Sequence, residues 1–497
     1  MGNVFANDLP ALQVVVPLLS APLCLVLARW PRLVWALCTA VTWAALAIAV
    51  SLLKSVLADG PISYAMGGWA APWGIEYRID VVSAYVALIV TGIASVVLPY
   101  AYTSAALYIR DDRIPLFYAL MMLCFTGLLG MTVTGDAFNV FVFLEISSLS
   151  MYGLISLGQD RRALTAAFQY LVMGTIGGTF VLIGIGFLYV VTGTLNMADL
   201  AARLPEVTQL RTLHTAFAFL VVGIGLKLAM FPLHLWLPNA YAYAPSPATV
   251  FIAATATKVA VYILLRFVFT VIGPEIAYQD LPFGEIAMVL AVLGLLTGSF
   301  VAIFQRNIKR MLAYSSVAQI GYILLGISLA TVMGLEASLL HLFNHALMKG
   351  ALFMAMGCFF YRIRSSRIED LAGIGRRMPW TFAAFVIGGL SLIGVPLTVG
   401  FVSKWYLVLA SLQEGYWALA VLILVGSLLA VIYVWRVVEA AWFATPSARA
   451  AEAREAPLAM LIPMWILVLA NLYFGINTGL TVGVAELAAG TLMRGLP

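Results

Sequence analysis

The stretch Phe138-Asn-Val-Phe-Val-Phe-Leu-Glu145-Ile-Ser-Ser-Leu149 puts one carboxylate in the middle of an apolar run that continues to residue 157. A run of that length is a membrane span, because a helix needs about 20 apolar residues to cross hydrocarbon. An ionised carboxylate at that depth needs a cation within a few ångström, and without one it stays neutral. A buried lysine within that distance would pull Glu145 toward ionisation and in turn hold its own proton more tightly. Such a pair is either a switch that opens and re-forms or a fixed ion pair joining two helices.

The rest of the chain agrees with that reading. Of 497 residues, 63% are hydrophobic and 10% charged, against about a quarter charged in a soluble domain. Apolar runs and their breakers predict fourteen spans, near 9–28, 33–53, 81–102, 115–134, 138–157, 166–192, 214–231, 248–272, 284–304, 311–333, 338–361, 380–411, 416–443 and 457–481. Residues Met1 to Asp8 lack the basic start of a removable signal, so the first run is expected to remain as a helix. Seventeen basic residues fall in loops joining odd to even spans and only four (Lys54, Arg78, Arg203, Arg211) in the other set. The first set is then cytoplasmic and both termini lie on the opposite face of the cell's inner membrane. This placement explains the net charge of +5 without a nucleic-acid partner. Cys24, Cys38, Cys124 and Cys358 stand singly in apolar runs and read as small hydrophobes.

Lysine use is selective. Six lysines accompany twenty-one arginines, and four of the six, Lys227, Lys258, Lys349 and Lys404, fall within spans. Each costs on the order of 3 kcal/mol at a helix centre. Lysine, unlike arginine, releases a proton readily when desolvated. Snorkelling to the headgroups is the competing reading, and it is given equal weight for Arg266 at the end of the eighth span. His341, His345 and Lys349 recur every four residues, a stripe about 80° wide rising about 12 Å along one helix, and so form a ladder of titratable groups. The two histidines have no intervening carboxylate and no third ligand in sight, so no metal is expected. His234, between Pro232 and Pro238, reads equally as a packed structural histidine or an accessory to the ladder, and Asp136 and Asn139 as a helix cap or a cation contact.

Two lysine-bearing spans are interrupted, one by Pro232 and Pro238 after Lys227, the other by Gly394, Pro396 and Gly400 before Lys404. Five spans separate them, and an odd offset inverts the second copy relative to the first. The fold expected is an all-α integral membrane protein of about fourteen transmembrane helices with two inverted five-helix repeats and broken helices. Its parts are an N-terminal three-helix segment (1–110), a first repeat (111–275), a second (276–445) and a C-terminal helix (446–497).

Glu145 with its preceding run, Gly225-Leu-Lys227, Pro232-Leu-His234-Leu-Trp-Leu-Pro238-Asn-Ala-Tyr241, Ala256-Thr-Lys258, Ala313-Tyr-Ser-Ser-Val-Ala-Gln-Ile-Gly321-Tyr, His341-Leu-Phe-Asn-His345-Ala-Leu-Met-Lys349 and Gly400-Phe-Val-Ser-Lys404 resemble the antiporter-like subunits shared by respiratory complex I and Mrp-type cation/proton antiporters. The resemblance runs from about 75 to 445 and is strongest to the D-type member of the Mrp group. It implies that Glu145 and Lys227 form a switching pair, that Lys258, His341, His345 and Lys349 form a central relay, and that Lys404 is a terminal site. Some complex I relatives carry glutamate at the Lys404 position. The resemblance also implies partner subunits in a multi-subunit complex and protons, with sodium, as the ions moved. The chain stops after the fourteenth span without a long lateral helix, which argues against the A-type member. With no cysteine cluster and no Gly-x-Gly-x-x-Gly, any redox cofactor would belong to partners. A stand-alone solute transporter or a passive scaffold are the readings from other classes; the first would need a midplane pocket for an organic solute.

Overall fold

The computed structural model describes residues 8–494. In chain order its helices are α1 (Leu9–Val26), α2 (Pro31–Asp59), α3 (Val81–Ala105), α4 (Ile114–Val133), α5 (Ala137–Ser156), α6 (Arg161–Thr192), the short α7 (Met197–Arg203), α8 (Leu210–Leu228), α9 (Leu237–Tyr243), α10 (Ser246–Leu265), α11 (Phe283–Ile303), α12 (Ile308–Ser328), α13 (Val332–Ile363), α14 (Pro379–Ile393), α15 (Val399–Gln413), α16 (Trp417–Trp442), the short α17 (Ala448–Ala451), α18 (Leu458–Ile476) and α19 (Gly479–Arg494). Among the described residues thirteen helices are long and apolar enough to cross a membrane. One further crossing, the twelfth in chain order, is made by α14 and α15 in series, each of 15 residues and so about 22 Å long, too short to span alone. An antiparallel hairpin, β1 (Ile62–Ala65) with β2 (Glu76–Ile79), lies between α2 and α3.

Local chemistry fixes the helix ends. Asp136, Asp160 and Asn307 cap α5, α6 and α12 by accepting backbone N–H groups, and prolines open α2 and α14. α10 and α12 are almost wholly enclosed, whereas α1, α2, α11 and α16 leave much of their surface to lipid. α10 packs against both α3 and α13, which puts it at the centre.

The inverted repeats show in the hydrogen bonds. Ala137 N–H donates to Leu195 O and Met197 N–H to Gly135 O, both at 2.8 Å; Ile308 N–H donates to Ser366 O at 2.8 Å and Ile368 N–H to Arg306 O at 2.9 Å. Each partner in the second set lies 171 residues after its counterpart, as in 137 to 308 and 195 to 366. Both interrupted crossings end their first half alike. Ala229 (φ 60°) and Gly394 (φ 92°) take the left-handed conformation, and the following N–H groups, of Met230 and Val395, reach back to Gly225 O and Leu390 O. That is the Schellman ending.

Two expectations need correction. The seventh crossing ends its first half at Leu228, breaks at the predicted interruption, and continues past the end expected near 231 as α9 to Tyr243. The last predicted span, 457–481, stops at Ile476, and α19 follows it, laying Val484, Ala485, Ala488, Ala489 and Leu492 against the bundle. Its small, weakly apolar residues give no strong signal. Cys24 and Cys38 do not stand alone either: their sulfurs are 3.3 Å apart as free thiols between α1 and α2.

Where α6 crosses α8, Gly223 lets the backbones meet; a Cβ there would lie 2.7 Å from Gly177 O and 2.8 Å from Val181 N. Gly223→Val is expected to destabilise the protein by about 1–3 kcal/mol, the order of overpacking a dense contact, and to lower the thermal midpoint of the purified protein in detergent. An unchanged midpoint would mean that the crossing is not close-packed.

Candidate ion pathway

The first group forms where α5, α6 and α8 meet. Lys227, at the end of α8, places its Nζ 3.2 Å from Glu145 Oε1 and donates to Ser148 Oγ at 2.8 Å. Gly178 on α6 makes room for the carboxylate, since a Cβ there would lie 2.1 Å from Glu145 Oε1. A cavity of about 20 Å³ adjoins Lys227, Ser148 and Tyr170 and reaches Ala256 and Ala260 of α10. That is room for about one water.

The second group lies on the far side of α10. Lys258 is almost completely buried; its Nζ donates to Ala253 O at 2.6 Å and to Thr257 Oγ1 at 3.4 Å. It is close enough to interact electrostatically with His341, His345 and Lys349 on α13. His341 bonds Ser403 Oγ through Nδ1 at 2.8 Å and Gln319 Oε1 through Nε2 at 2.9 Å. With Gln319 accepting at Nε2, a neutral ring accepts the serine proton at Nδ1. The His341 and His345 rings are 6.2 Å apart and nearly parallel. Neither ring nitrogen of His345 has a protein hydrogen-bond partner. Lys349 donates to Leu312 O at 2.7 Å and to Ser315 Oγ.

The third group sits at the break in the twelfth crossing. Lys404, from α15, reaches back to the free carbonyls that end α14, Leu392 O at 3.0 Å and Ile393 O at 2.9 Å, and donates to Ser427 Oγ at 2.9 Å. Its Nζ stands 4.6 Å from the centre of the Tyr322 ring, whose own centre is 5.5 Å from that of His341. Tyr322 thus links the terminal lysine to the histidine ladder.

The predicted residues fall into these three groups, with gaps. No direct hydrogen bond joins Lys227 to Lys258, because the face of α10 that meets the Lys227 cavity carries Ala256 and Ala260, roughly opposite Lys258. His234 packs on Phe231 and edge-on to Tyr314, outside these groups. Asp136 accepts Asn139 N–H at 2.7 Å, and Asn139 Nδ2 donates to Thr134 Oγ1 at 3.1 Å, the bonds of a helix cap. Arg266 does not snorkel: it is buried, pairs with Asp80, and donates to Ser83 Oγ at 2.9 Å and Tyr262 Oη at 3.0 Å. Asp80 escapes notice in the sequence because it immediately precedes an apolar run. Lys309, which reads as a loop charge, is also buried, over the rings of Tyr108 and Phe360 at 5.0 and 5.6 Å. It lines a cavity of about 390 Å³ on the arginine-rich face. On that rim the Arg162 guanidinium beside Asp160 holds the carboxyl below its usual range. Among the described residues no three His, Cys, Asp or Glu side chains converge as a metal site.

Two interrupted crossings in matched registers, with separate groups of buried titratable side chains beside them, define a multi-pass α-helical membrane protein of the broken-helix class. Residues 134–430 match the family model described as NADH:quinone oxidoreductase/Mrp antiporter, TM, and the chain belongs to that family. It is 42% identical over 433 residues to NADH-quinone oxidoreductase subunit N of Desulforudis audaxviator (strain MP104C), covering 84% of this chain and 85% of that one. It is 30% identical over 489 residues to the D subunit of the Na(+)/H(+) antiporter of Bacillus subtilis (strain 168), covering 98% of each. Among solved structures it is similar to a chain of the Mrp complex from Dietzia sp. DQ12-45-1b (TM-score 0.90, 26% identity) and to one of the archaeal membrane-bound sulfane sulfur reductase (TM-score 0.90, 30% identity), with 98% of both chains covered in each case. The protein is thus a multi-pass, antiporter-like membrane subunit of the kind found in Mrp and complex I-type assemblies.

The Asp80–Arg266 pair gives a test of the buried electrostatics. Arg266→Met alone leaves Asp80 buried without its cation and is expected to cost about 3–5 kcal/mol. Adding Asp80→Leu should restore most of that, read as the thermal midpoint in detergent. Equal midpoints for the single and double variants would show that the two side chains are not coupled.

Proposed function

We propose that this chain is the proton-translocating subunit of a multi-subunit Mrp-type Na+/H+ antiporter in the inner (cytoplasmic) membrane, with both termini on the non-cytoplasmic side. Protons move along Glu145, Lys227, Lys258, His341, His345, Lys349 and Lys404. The observation that carries the reading is the run Lys258, His345, His341, Tyr322, Lys404, in which buried amines and imidazoles are held by neutral oxygens and rings and not by fixed anions. A group held that way gives up its proton without leaving an unpaired buried charge behind. Glu145 supplies the one anion, at the entry end, where its separation from Lys227 would change the proton affinity of both. The unpartnered imidazole of His345 supports transient hydrogen bonding within the file. The division into 1–110, 111–275, 276–445 and 446–497 belongs to the same proposal. Its support is the matched register of the two repeats. The end-to-end match to the D subunit of an antiporter supports the Mrp assignment.

The 42% identity to an NADH-quinone oxidoreductase subunit favours a second reading, a proton-pumping subunit of a redox-driven complex. The two separate on one experiment. The purified, reconstituted complex is expected to exchange Na+ for H+ with no electron donor present. Exchange that requires electron transfer would transfer the assignment to the redox complex.

The relay itself is tested in everted vesicles with assembly checked in parallel. Glu145→Gln, Lys227→Ala and Gly178→Val, which forces the pair apart, are each expected to reduce exchange by about 10- to 100-fold, the order seen when a positioned group is displaced by an ångström. Wild-type exchange in all three would leave only a scaffold.

A further inference from the structure

On the arginine-rich face the loop between α1 and α2 overhangs a groove of about 860 Å³, bounded by α2, α3 and the start of α4. Arg29, Trp30, Arg32, Trp35, Tyr102 and Tyr118 are among the residues that line it. Part of that lining is fixed. The Trp35 and Tyr102 rings are 4.8 Å apart, and Trp35 Nε1 donates to Leu98 O at 3.0 Å. Neither Arg29 nor Arg32 forms an ion pair among the described residues. Asp111 also lines the groove. The end of α1 exposes Leu25 and Val26, the start of α2 exposes Leu33, and further along α2 Trp43 is exposed.

We propose that this groove binds one glycerophospholipid, its phosphodiester held by Arg29 and Arg32 and its acyl chains laid along the exposed apolar residues of α1 and α2. Charge, level and shape agree on that occupant. Two guanidiniums without an ion-pair partner in one lining supply the planar donors suited to phosphate oxygens. Trp30, Trp35 and Tyr102 are the amphipathic rings that settle at headgroup depth. Basic pockets between transmembrane helices on the positive face are where lipid headgroups bind. Asp111 in the same lining offers an acceptor to the amine or hydroxyls of the headgroup. A helix of a neighbouring subunit would find two unpaired arginines at its contact, which is costly to bury; a phosphate removes that cost. The inference is independent of the proton relay.

The test compares the purified complex in mild detergent with two variants by native mass spectrometry and phosphorus assay of extracted lipid. Arg29→Gln/Arg32→Gln removes the charge. Ala106→Trp fills the groove from an exposed position without altering charge, and keeps the test decisive if the double variant assembles poorly. Each variant is expected to retain about one phospholipid fewer per complex than wild type, with ion exchange in reconstituted vesicles retained. Equal lipid content in wild type and Ala106→Trp would overturn the proposal, as would photo-cross-links from position 30 that capture another subunit in place of lipid.

Discussion

Everything in this structure follows from the difficulty of keeping an ammonium group in hydrocarbon. Lys227, Lys258, Lys349 and Lys404 each meet it with oxygen atoms, and the source of the oxygen differs in a telling way. Lys227 has a carboxylate and a serine. Lys258, Lys349 and Lys404 have backbone carbonyls with, in each case, a hydroxyl beside them. A carbonyl accepts from an ammonium and remains neutral when the proton leaves, so the environment tolerates both states. A carboxylate does not, and only Lys227 is tied to one. In the proposed pathway the Glu145–Lys227 pair is then the one electrostatic switch, and the other lysines are softer stations.

Helix breaks are the means by which free carbonyls reach the membrane interior. Both breaks end their first half with the same Schellman geometry, yet use it differently. Lys227 lies two residues before the left-handed Ala229, within the half-helix itself. At the matching point of the second repeat, two residues before Gly394, stands Leu392, an apolar residue. Lys404 comes from the other half of the crossing and brings its ammonium to the Leu392 carbonyl. Each interrupted crossing thus carries one buried amine, on opposite sides of its break. In the first repeat its partner is an acid, and in the second it is bare backbone.

Much of this is legible in the sequence because lipid allows few alternatives. All fourteen crossings, the unusual lysines and both interruptions can be read from apolar runs and from residues too costly to be there by chance. What cannot be read needs a third dimension. Ala256 and Ala260 face the Lys227 cavity while Lys258 looks to α13, so α10 separates two groups that motif order makes adjacent. Tyr322, which joins Lys404 to His341, is one of 21 tyrosines and carries no signal of its own. Asp80 and Arg266 lie 186 residues apart at opposite ends of apolar runs, and only packing of α3 on α10 shows them as a pair. Lys309 sits among loop arginines and reads as one of them, although its amine is enclosed by two rings. α19 leaves little trace because alanine and glycine dilute its apolar face.

The central claim is that the three groups form one file despite α10 standing between the first and the second. A density map of the complex in lipid, at a resolution that places ordered water, tests it most directly. A continuous file requires water in the cavity beside Lys227, water bridging around α10 toward Lys258, and water at the bare ring nitrogens of His345. Dry, close-packed side chains at all three places would contradict it.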